Sequence, residues 1–394
     1  MNHQSKSSQC NSASKNNRNL IASCSAIAVF GLAFGMTAPL LSLILQDKAV
    51  SSGIIGVNSA MMPVGILLFS PVIPFISEQW GARNVALIAA FATALLILAY
   101  KAFDNLGAWF VIRLLNGMSI STLFVLSEAW IIGSTVSTNR GKVVAIYASI
   151  LSASFAAGPA LIGAMGIDGW MPFIIGTSVI LIGTIPIAMI REEVVSSPEE
   201  APASGILSFA PKAPMLIAAV GCFAIFDAAT LSLLPVYGVQ NGMSQSEAAF
   251  ALTALIVGNI VLQYPIGWLA DKYPARSVLF WCATITALLV VLLPFLLHTD
   301  WLWPLLIIVG STGYGIYTVS LKSLGDRFSG RELINGTSAF AVMWGIGALF
   351  GSLSGGWSVG LSVKYGLPIL LIAVYSLLAA GLLWRQKKAG AQAQ

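Results

Sequence analysis

The apolar positions of this chain fall in runs of about twenty residues or more, cut by short polar breaks. At 1.5 Å per helical residue, such a run spans a hydrocarbon layer of about 30 Å. Twelve runs are read: 20–45, 53–76, 84–102, 107–131, 143–166 and 171–190, then 215–239, 247–270, 277–297, 303–325, 333–358 and 366–384. All are expected to be helices, because a backbone in lipid must satisfy its own hydrogen bonds. The Gly and Pro residues within them fit helices that pack closely and bend.

The breaks divide the chain. Residues 1–19 are Ser/Asn-rich and form a solvated tail; the run behind them is too long for the h-region of a signal peptide. Residues 20–190 hold six spans, 191–214 form a polar linker, 215–385 hold six more, and 386–394 are a second tail. The linker carries Glu192, Glu193, Glu199, Glu200 and four prolines, with Ile206 to Phe209 resting on the membrane surface.

Composition removes the soluble alternative. Of 394 residues, 57% are hydrophobic and 9% charged, whereas soluble domains carry roughly 25% charged residues. Cys10, Cys24, Cys222 and Cys282 show no metal spacing and are read as free thiols. His3 and His298 lie outside the spans, so neither a His-based metal site nor a catalytic dyad is expected in the membrane. The chain lacks GxxxxGK[ST] and a soluble domain to hold a nucleotide. No cofactor, metal or nucleic acid is expected.

Lys and Arg in the connections set the orientation. Fifteen lie on one side, from Lys6, Lys15 and Arg18 through Arg83, Arg140 and Lys142 to Arg385, Lys387 and Lys388; Lys48, Lys101 and Lys364 lie on the other. Both termini are therefore expected in the cytoplasm.

A repeat is also visible. Gly267-Trp268-Leu269-Ala270-Asp271-Lys272-Tyr273-Pro274-Ala275-Arg276 reads as a charged turn between apolar runs, and Pro74 to Arg83 as its weaker copy. Glu78 pairs with Asp271 and Arg83 with Arg276, each 193 positions on; the same offset carries Gly117 to Gly310, Gly158 to Gly351 and Gly163 to Gly356. Two copies of one six-helix module are expected.

Four ionisable residues fall within apolar runs: Arg113 and Glu128 in the fourth, Asp227 in the seventh and Lys322 in the tenth. A charge at mid-bilayer costs about 2.5–3.5 kcal/mol, and such residues usually face a cavity or a partner. Asp227 lies halfway along its run, where protonation is the ready way to shed that cost; Thr230 or Ser232 would satisfy it in a purely structural role. Arg113 suits either a coupling role or hydrogen bonding to backbone carbonyls. Glu128 and Lys322 sit near one end of their helices, either snorkelling to the interface or pairing between halves to close the cytoplasmic mouth. Phe30, Phe34, Phe223, Phe226, Tyr314 and Tyr317 are candidates to line an apolar cavity.

The stretch from Gly267 to Arg276 resembles the loop signature of the major facilitator superfamily, and Pro74 to Arg83 its first-half copy, with Pro74 where the family has glycine. Arg113-Leu114-Leu115-Asn116-Gly117 resembles the RxxxG signature of the fourth helix. Gly158-Pro159-Ala160-Leu161-Ile162-Gly163 resembles the GP signature of proton-coupled exporters, with Ser154 and Ile162 where glycines are usual. Ser127-Glu128-Ala129, Asn139-Arg140-Gly141 and Gln263-Tyr264-Pro265-Ile266-Gly267 are most similar to the YcaD-like branch of bacterial inner-membrane transporters.

The resemblance implies an all-α membrane protein of two pseudo-symmetric six-helix bundles, with helices 1, 4, 7 and 10 lining a central cavity and alternating access about its midplane. It implies a latch in which Glu78 reaches the start of helix 11 near Arg331, and Asp271 the start of helix 5 near Arg140, with Arg83, Gly267 and Arg276 completing the signature. A carboxylate at a helix N-terminus gains about 0.3–1 kcal/mol from the dipole. The function expected is secondary transport of a small organic solute, coupled to protons through Asp227 with Glu128 or Arg113 assisting, and leaning to export. An uncoupled facilitator or a proton-driven importer are the alternatives; an intramembrane enzyme is disfavoured by the missing catalytic constellation. One chain carries both halves, so a monomer in contact with lipid suffices.

Overall fold

The computed structural model describes residues 2–134, 140–189 and 209–392. Among them, twelve helices are long and apolar enough to cross a membrane, and there are no strands. They are α1 (Asn2–Asp47), α2 (Ser52–Trp80), α3 (Ala82–Ala102), α4 (Leu106–Ser134), α5 (Arg140–Met165), α6 (Met171–Ala188), α7 (Pro214–Gln240), α8 (Gln245–Lys272), α9 (Ala275–Leu296), α10 (Leu302–Arg327), α11 (Gly330–Leu361) and α12 (Gly366–Gln392). Each expected span has its helix. Most of the linker, residues 190–208, lies outside the described residues.

Local chemistry sets several ends. Asn105 Oδ1 accepts from the amides of Gly107 and Ala108 and so starts α4. Ser244 and Glu247 form a reciprocal capping box at the start of α8. The α7–α8 turn passes through Gly242 at φ +94°, a conformation that a Cβ penalises. Helix α2 is interrupted by the 3₁₀ turn Ser70–Val72, where Pro71 and Pro74 remove amide donors.

Two expectations need correction. The repeated charged stretches are not turns. Ile73–Trp80 and Gly267 to Lys272 are helical, so Glu78 and Asp271 ride on the last turns of α2 and α8, and the chain reverses only at Gly81 and at Tyr273-Pro274. Phe209 does not rest on a membrane surface. It is 1% exposed and packs edge-on against Phe328 at 5.0 Å between ring centroids, because its side chain finds an apolar niche beside Gly336.

The 193-residue repeat recurs in the packing. Gly65 of α2 meets the backbone of Leu114 and Gly117 of α4; at the matching offset, Gly258 of α8 meets Ile307 of α10, and Gly310 of α10 meets Leu255 of α8. A side chain at any of these would strike backbone, as expected where small residues let helices approach closely. Gly158 of α5 lies on Gly35 of α1, and Gly351 of α11 on Ile225 of α7.

The signature arginines are equivalent in the same way. Arg83, at the start of α3, donates to the carbonyl of Ala188 at the end of α6 (2.6 Å); Arg276, at the start of α9, donates to that of Leu382 in α12 (3.0 Å). At Ala188, the last residue of α6, the guanidinium satisfies an acceptor the helix itself leaves open and complements its dipole; Leu382 lies inside α12, so Arg276 adds a second bond to a carbonyl within that helix. Replacing Arg276 by Ala is expected to destabilise the protein by about 1 kcal/mol. A thermal-unfolding scan in detergent checks this, with Arg276→Lys recovering part of the loss.

Contacts group the chain into two compact units, and the boundary does not follow the linker alone. One comprises Met1–Thr37, Gly65–Gly158 and Asp168–Glu200; the other comprises Ala38–Val64, Pro159–Ile167 and Ala201–Gln394. The second thus joins α7–α12 with the ends of α1, α2 and α5 around the α1–α2 and α5–α6 turns. Within it, Gly56 of α2 crosses Gly356 of α11, an added Cβ at Gly56 lying 2.8 Å from Gly356 Cα. Gln240 Nε2 donates to Gln46 Oε1 (2.8 Å) and Ser52 Oγ (2.9 Å), Gln245 Nε2 donates to Asp47 Oδ1 (3.2 Å), and Ser246 Oγ donates to the Gly163 carbonyl.

Candidate functional site

The second unit holds Asp227 at the middle of α7. It is 7% exposed, with helix on both sides. Trp344 of α11 donates its indole N–H to Asp227 Oδ2 at 3.2 Å, and the Tyr314 side chain of α10 hydrogen-bonds the same carboxylate. Thr230, which with Ser232 would satisfy the carboxylate in a purely structural role, donates instead to the carbonyls of Phe226 (2.7 Å) and Asp227 (3.2 Å), the usual fate of a mid-helix threonine.

Aromatic rings surround this carboxylate. Phe223 and Phe226 of α7 sit 5.9 and 5.4 Å from Tyr314, Phe223 lies 4.9 Å from Tyr317, and Phe226 lies 5.5 Å from Tyr375 of α12. The four candidates from α7 and α10 therefore form one cluster. Trp344, Tyr375 and Phe340, which lies 6.5 Å from Tyr317, extend it. Sequence reasoning missed these three, since nothing in their helices marks the partner of a distant carboxylate.

Lys322 has its partners within this unit. Its Nζ lies 2.7 Å from Asp326 Oδ2, one turn along α10, and 3.3 Å from Asp271 Oδ1 at the end of α8. The Asp326 contact has the i, i+4 spacing and was legible in the sequence; the Asp271 contact was not. Asp271, expected at the start of α5, is thus drawn to Lys322 here, with 70% of its side chain exposed. The expected partners Arg140 and Arg331 have side chains outside the described residues. Glu78 is exposed at the end of α2. Gly267 faces open space, so no neighbour demands a glycine there.

The first unit brings together a second constellation. Phe30 and Phe34 of α1 join Phe124 of α4 and Phe155 of α5, with Phe30–Phe124 at 5.0 Å, Phe30–Phe155 at 5.9 Å and Phe34–Phe155 at 5.5 Å. One turn beyond Phe124, Glu128 is exposed while Ser127 and Trp130 beside it are buried. Ser23 Oγ of α1 donates to the Ser127 carbonyl (2.6 Å), and Ser127 Oγ shares a hydrogen bond with Tyr147 Oη of α5 (2.8 Å). These bonds fasten α1 and α5 to the turn of α4 that carries Glu128, and Tyr147 lies within electrostatic reach of it.

Arg113 sits elsewhere. It is fully buried in α4, with Tyr100 of α3 in electrostatic reach and the buried Asn116 on the next turn of its own helix. Trp109 Nε1 closes this corner by donating to the carbonyls of Tyr100 and Phe103. In helix 5 of the repeat, Gly158 makes the close approach to α1, and Gly163 lies against the Phe250 ring of α8 within the second unit. Pro159 lies inside α5 between them. No cluster of His, Cys, Asp and Glu that could hold a metal occurs among the described residues.

Comparison with known proteins places this geometry. The profile described as Major Facilitator Superfamily matches residues 23–257 and 216–393. The chain is 24% identical over 370 residues to the uncharacterized MFS-type transporter YfkF of Bacillus subtilis (strain 168), covering 90% of this chain and 93% of that one. It is 25% identical over 334 residues to the uncharacterized MFS-type transporter YcaD of Escherichia fergusonii, covering 83% and 85%. In fold it is similar to the nucleoside transporter NupG (TM-score 0.74, 13% identity, 93% and 98% covered). It is equally similar to a bacterial homologue of the human lysosomal transporter Spinster in an inward-facing, unoccupied conformation (TM-score 0.75, 11% identity, 93% and 96% covered).

Proposed function

Since this chain belongs to the Major Facilitator Superfamily, a family of transporters and not of enzymes, we propose that this multi-pass membrane protein is a proton-coupled secondary transporter exporting a small organic solute. Its place is the bacterial inner membrane with both termini in the cytoplasm, the side that carries the excess of Lys and Arg. Alternating access exposes a site near the midplane to each side in turn.

The observation that carries the coupling is Asp227. A carboxylate placed at mid-span, enclosed by aromatic rings and reached by an indole N–H and a phenol, can hold a charge in one state and a proton in another. The donors come from α11 and α10, so a small shift of either helix changes the hydrogen bonds the carboxylate keeps. Export is favoured by the GP element at Gly158-Pro159.

The same hydrogen bonds support a second reading. Two donors satisfy a carboxylate that stays charged throughout, as in an uncoupled facilitator. Transport that ignores an imposed pH gradient selects this reading; transport that follows the gradient selects coupling.

The latch is proposed to change partner with conformation. Asp271 pairs with Lys322, and the latch reading gives it the start of α5 as its alternative partner. Asp271→Ala is expected to slow turnover about three- to tenfold while leaving substrate binding intact, since one dipole-assisted contact of about 1 kcal/mol is lost from the closed state. Parallel measurement of initial rate and equilibrium binding checks this; unchanged turnover removes the latch.

A further inference from the structure

We propose that Glu128 receives the charged centre of an organic cation whose aromatic or aliphatic body lies on Phe124, Phe30 and Phe155. The assignment rests on the transporter reading above and names the substrate class for it. Coupling through Asp227 asks at most an assisting part of Glu128, yet hydrogen bonds from two neighbouring helices fix the turn that carries it. The bond from Ser23 to the Ser127 carbonyl and the bond between Ser127 and Tyr147 hold α1, α4 and α5 together at this turn. Glu128 nevertheless stays exposed while Ser127 and Trp130 are buried, and Tyr147 of α5 lies within electrostatic reach of it.

Phe124 lies on the same side of α4 one turn back, within reach of a group bound at Glu128. Its ring and that of Phe155 are the partly exposed members of the four-ring cluster. A carboxylate next to aromatic faces is the combination that recognises a poorly hydrated organic cation, through charge and through the ring quadrupoles together. An anion is repelled by it, and a neutral solute leaves it unpartnered in the membrane. Glu128 takes part in none of the ion pairs Lys212–Glu332, Lys322–Asp271 and Lys322–Asp326 seen between described side chains. Asp227, by contrast, already has its hydrogen-bond donors and lies deeper among rings. The two carboxylates thus divide the work: the enclosed one for the proton, the open one for the cargo.

The probe is tetraphenylphosphonium, with tetraphenylborate as its anionic isostere. Binding to the full-length protein in phosphatidylglycerol nanodiscs is read by calorimetry at fixed pH without a gradient, so failure of proton coupling leaves this result standing. The native protein should bind the phosphonium and not the borate. Glu128→Gln should weaken phosphonium binding at least about tenfold, Glu128→Asp should recover most of it, and Phe124→Ala should cost about threefold. A melting temperature equal to the native one in each variant ties the loss to the site. Equal binding by native and Glu128→Gln, equal affinity for the borate, or no phosphonium binding by the native protein overturns the proposal. A lipid amine headgroup offers the same chemistry. Displacement of the probe when phosphatidylethanolamine enters the nanodisc assigns the site to lipid and overturns the substrate role; undiminished binding supports it.

Discussion

Asn in place of Asp227 is expected to abolish transport driven by an imposed pH gradient, with the initial rate falling at least about tenfold, while the protein inserts and melts like the native chain. The two parts of this outcome have separate causes. Asn is nearly isosteric, and its carbonyl still accepts from the Trp344 indole and the Tyr314 hydroxyl. The variant also drops a charge whose burial costs about 2.5–3.5 kcal/mol in lipid, so stability is held or raised. What Asn cannot do is take up and release a proton, and the exchange between gradient and solute ends with that ability. Everted vesicles with an imposed pH step measure it, using the compound that metabolite profiling identifies. Native-like pH-driven transport in this variant makes Asp227 a structural acceptor and moves the facilitator reading ahead.

A valine at Gly310 is expected to prevent folding, or to destabilise the protein by about 3 kcal/mol or more. Helices α8 and α10 approach through Gly258 and Gly310, and an added Cβ at either meets the backbone of the other helix. Backbone cannot rotate away as a side chain can, so the helices must separate and give up dispersion contacts along the crossing. Gly325→Ala, also on α10, provides the contrast. Its Cβ meets nothing within 4 Å, and the exchange removes a helix-disfavouring glycine, so stability should hold or rise by up to about 1 kcal/mol. Size-exclusion profiles and thermal unfolding in detergent report both. A folded Gly310→Val protein with native stability contradicts the close crossing.

The sequence made some of this legible and hid the rest for identifiable reasons. The twelve spans were readable because a lipid-crossing helix must be apolar along its whole length, and the positions of breaks follow. The 193-residue repeat foretold which glycines are equivalent, Gly117 with Gly310 and Gly158 with Gly351, and their shared crossings appear in the packing. It also equated Arg83 with Arg276. It could not say that each donates to a backbone carbonyl of another helix, at Ala188 and at Leu382, because that partner is set by how helices pack and not by spacing. Asp227 stood out by its depth alone. Its donor Trp344 sits 117 positions away on α11, and no periodicity connects the two. Lys322 shows both cases at once: Asp326 was available four residues along, whereas Asp271 comes from α8. The charged stretches were read as turns because charge in an apolar chain usually marks a loop, yet the last turns of α2 and α8 carry theirs on helix.

Comparative metabolite profiling of cells and medium tests the central claim, that this protein carries a solute outward under control of Asp227. Three strains are compared: one overexpressing the native protein, one expressing Asp227→Asn and one lacking it. The account predicts a compound, carrying a positive charge, enriched in the medium of the native strain and in neither of the others. A compound drawn from the medium into the native cells, or an Asp227→Asn strain indistinguishable from the native one, contradicts it.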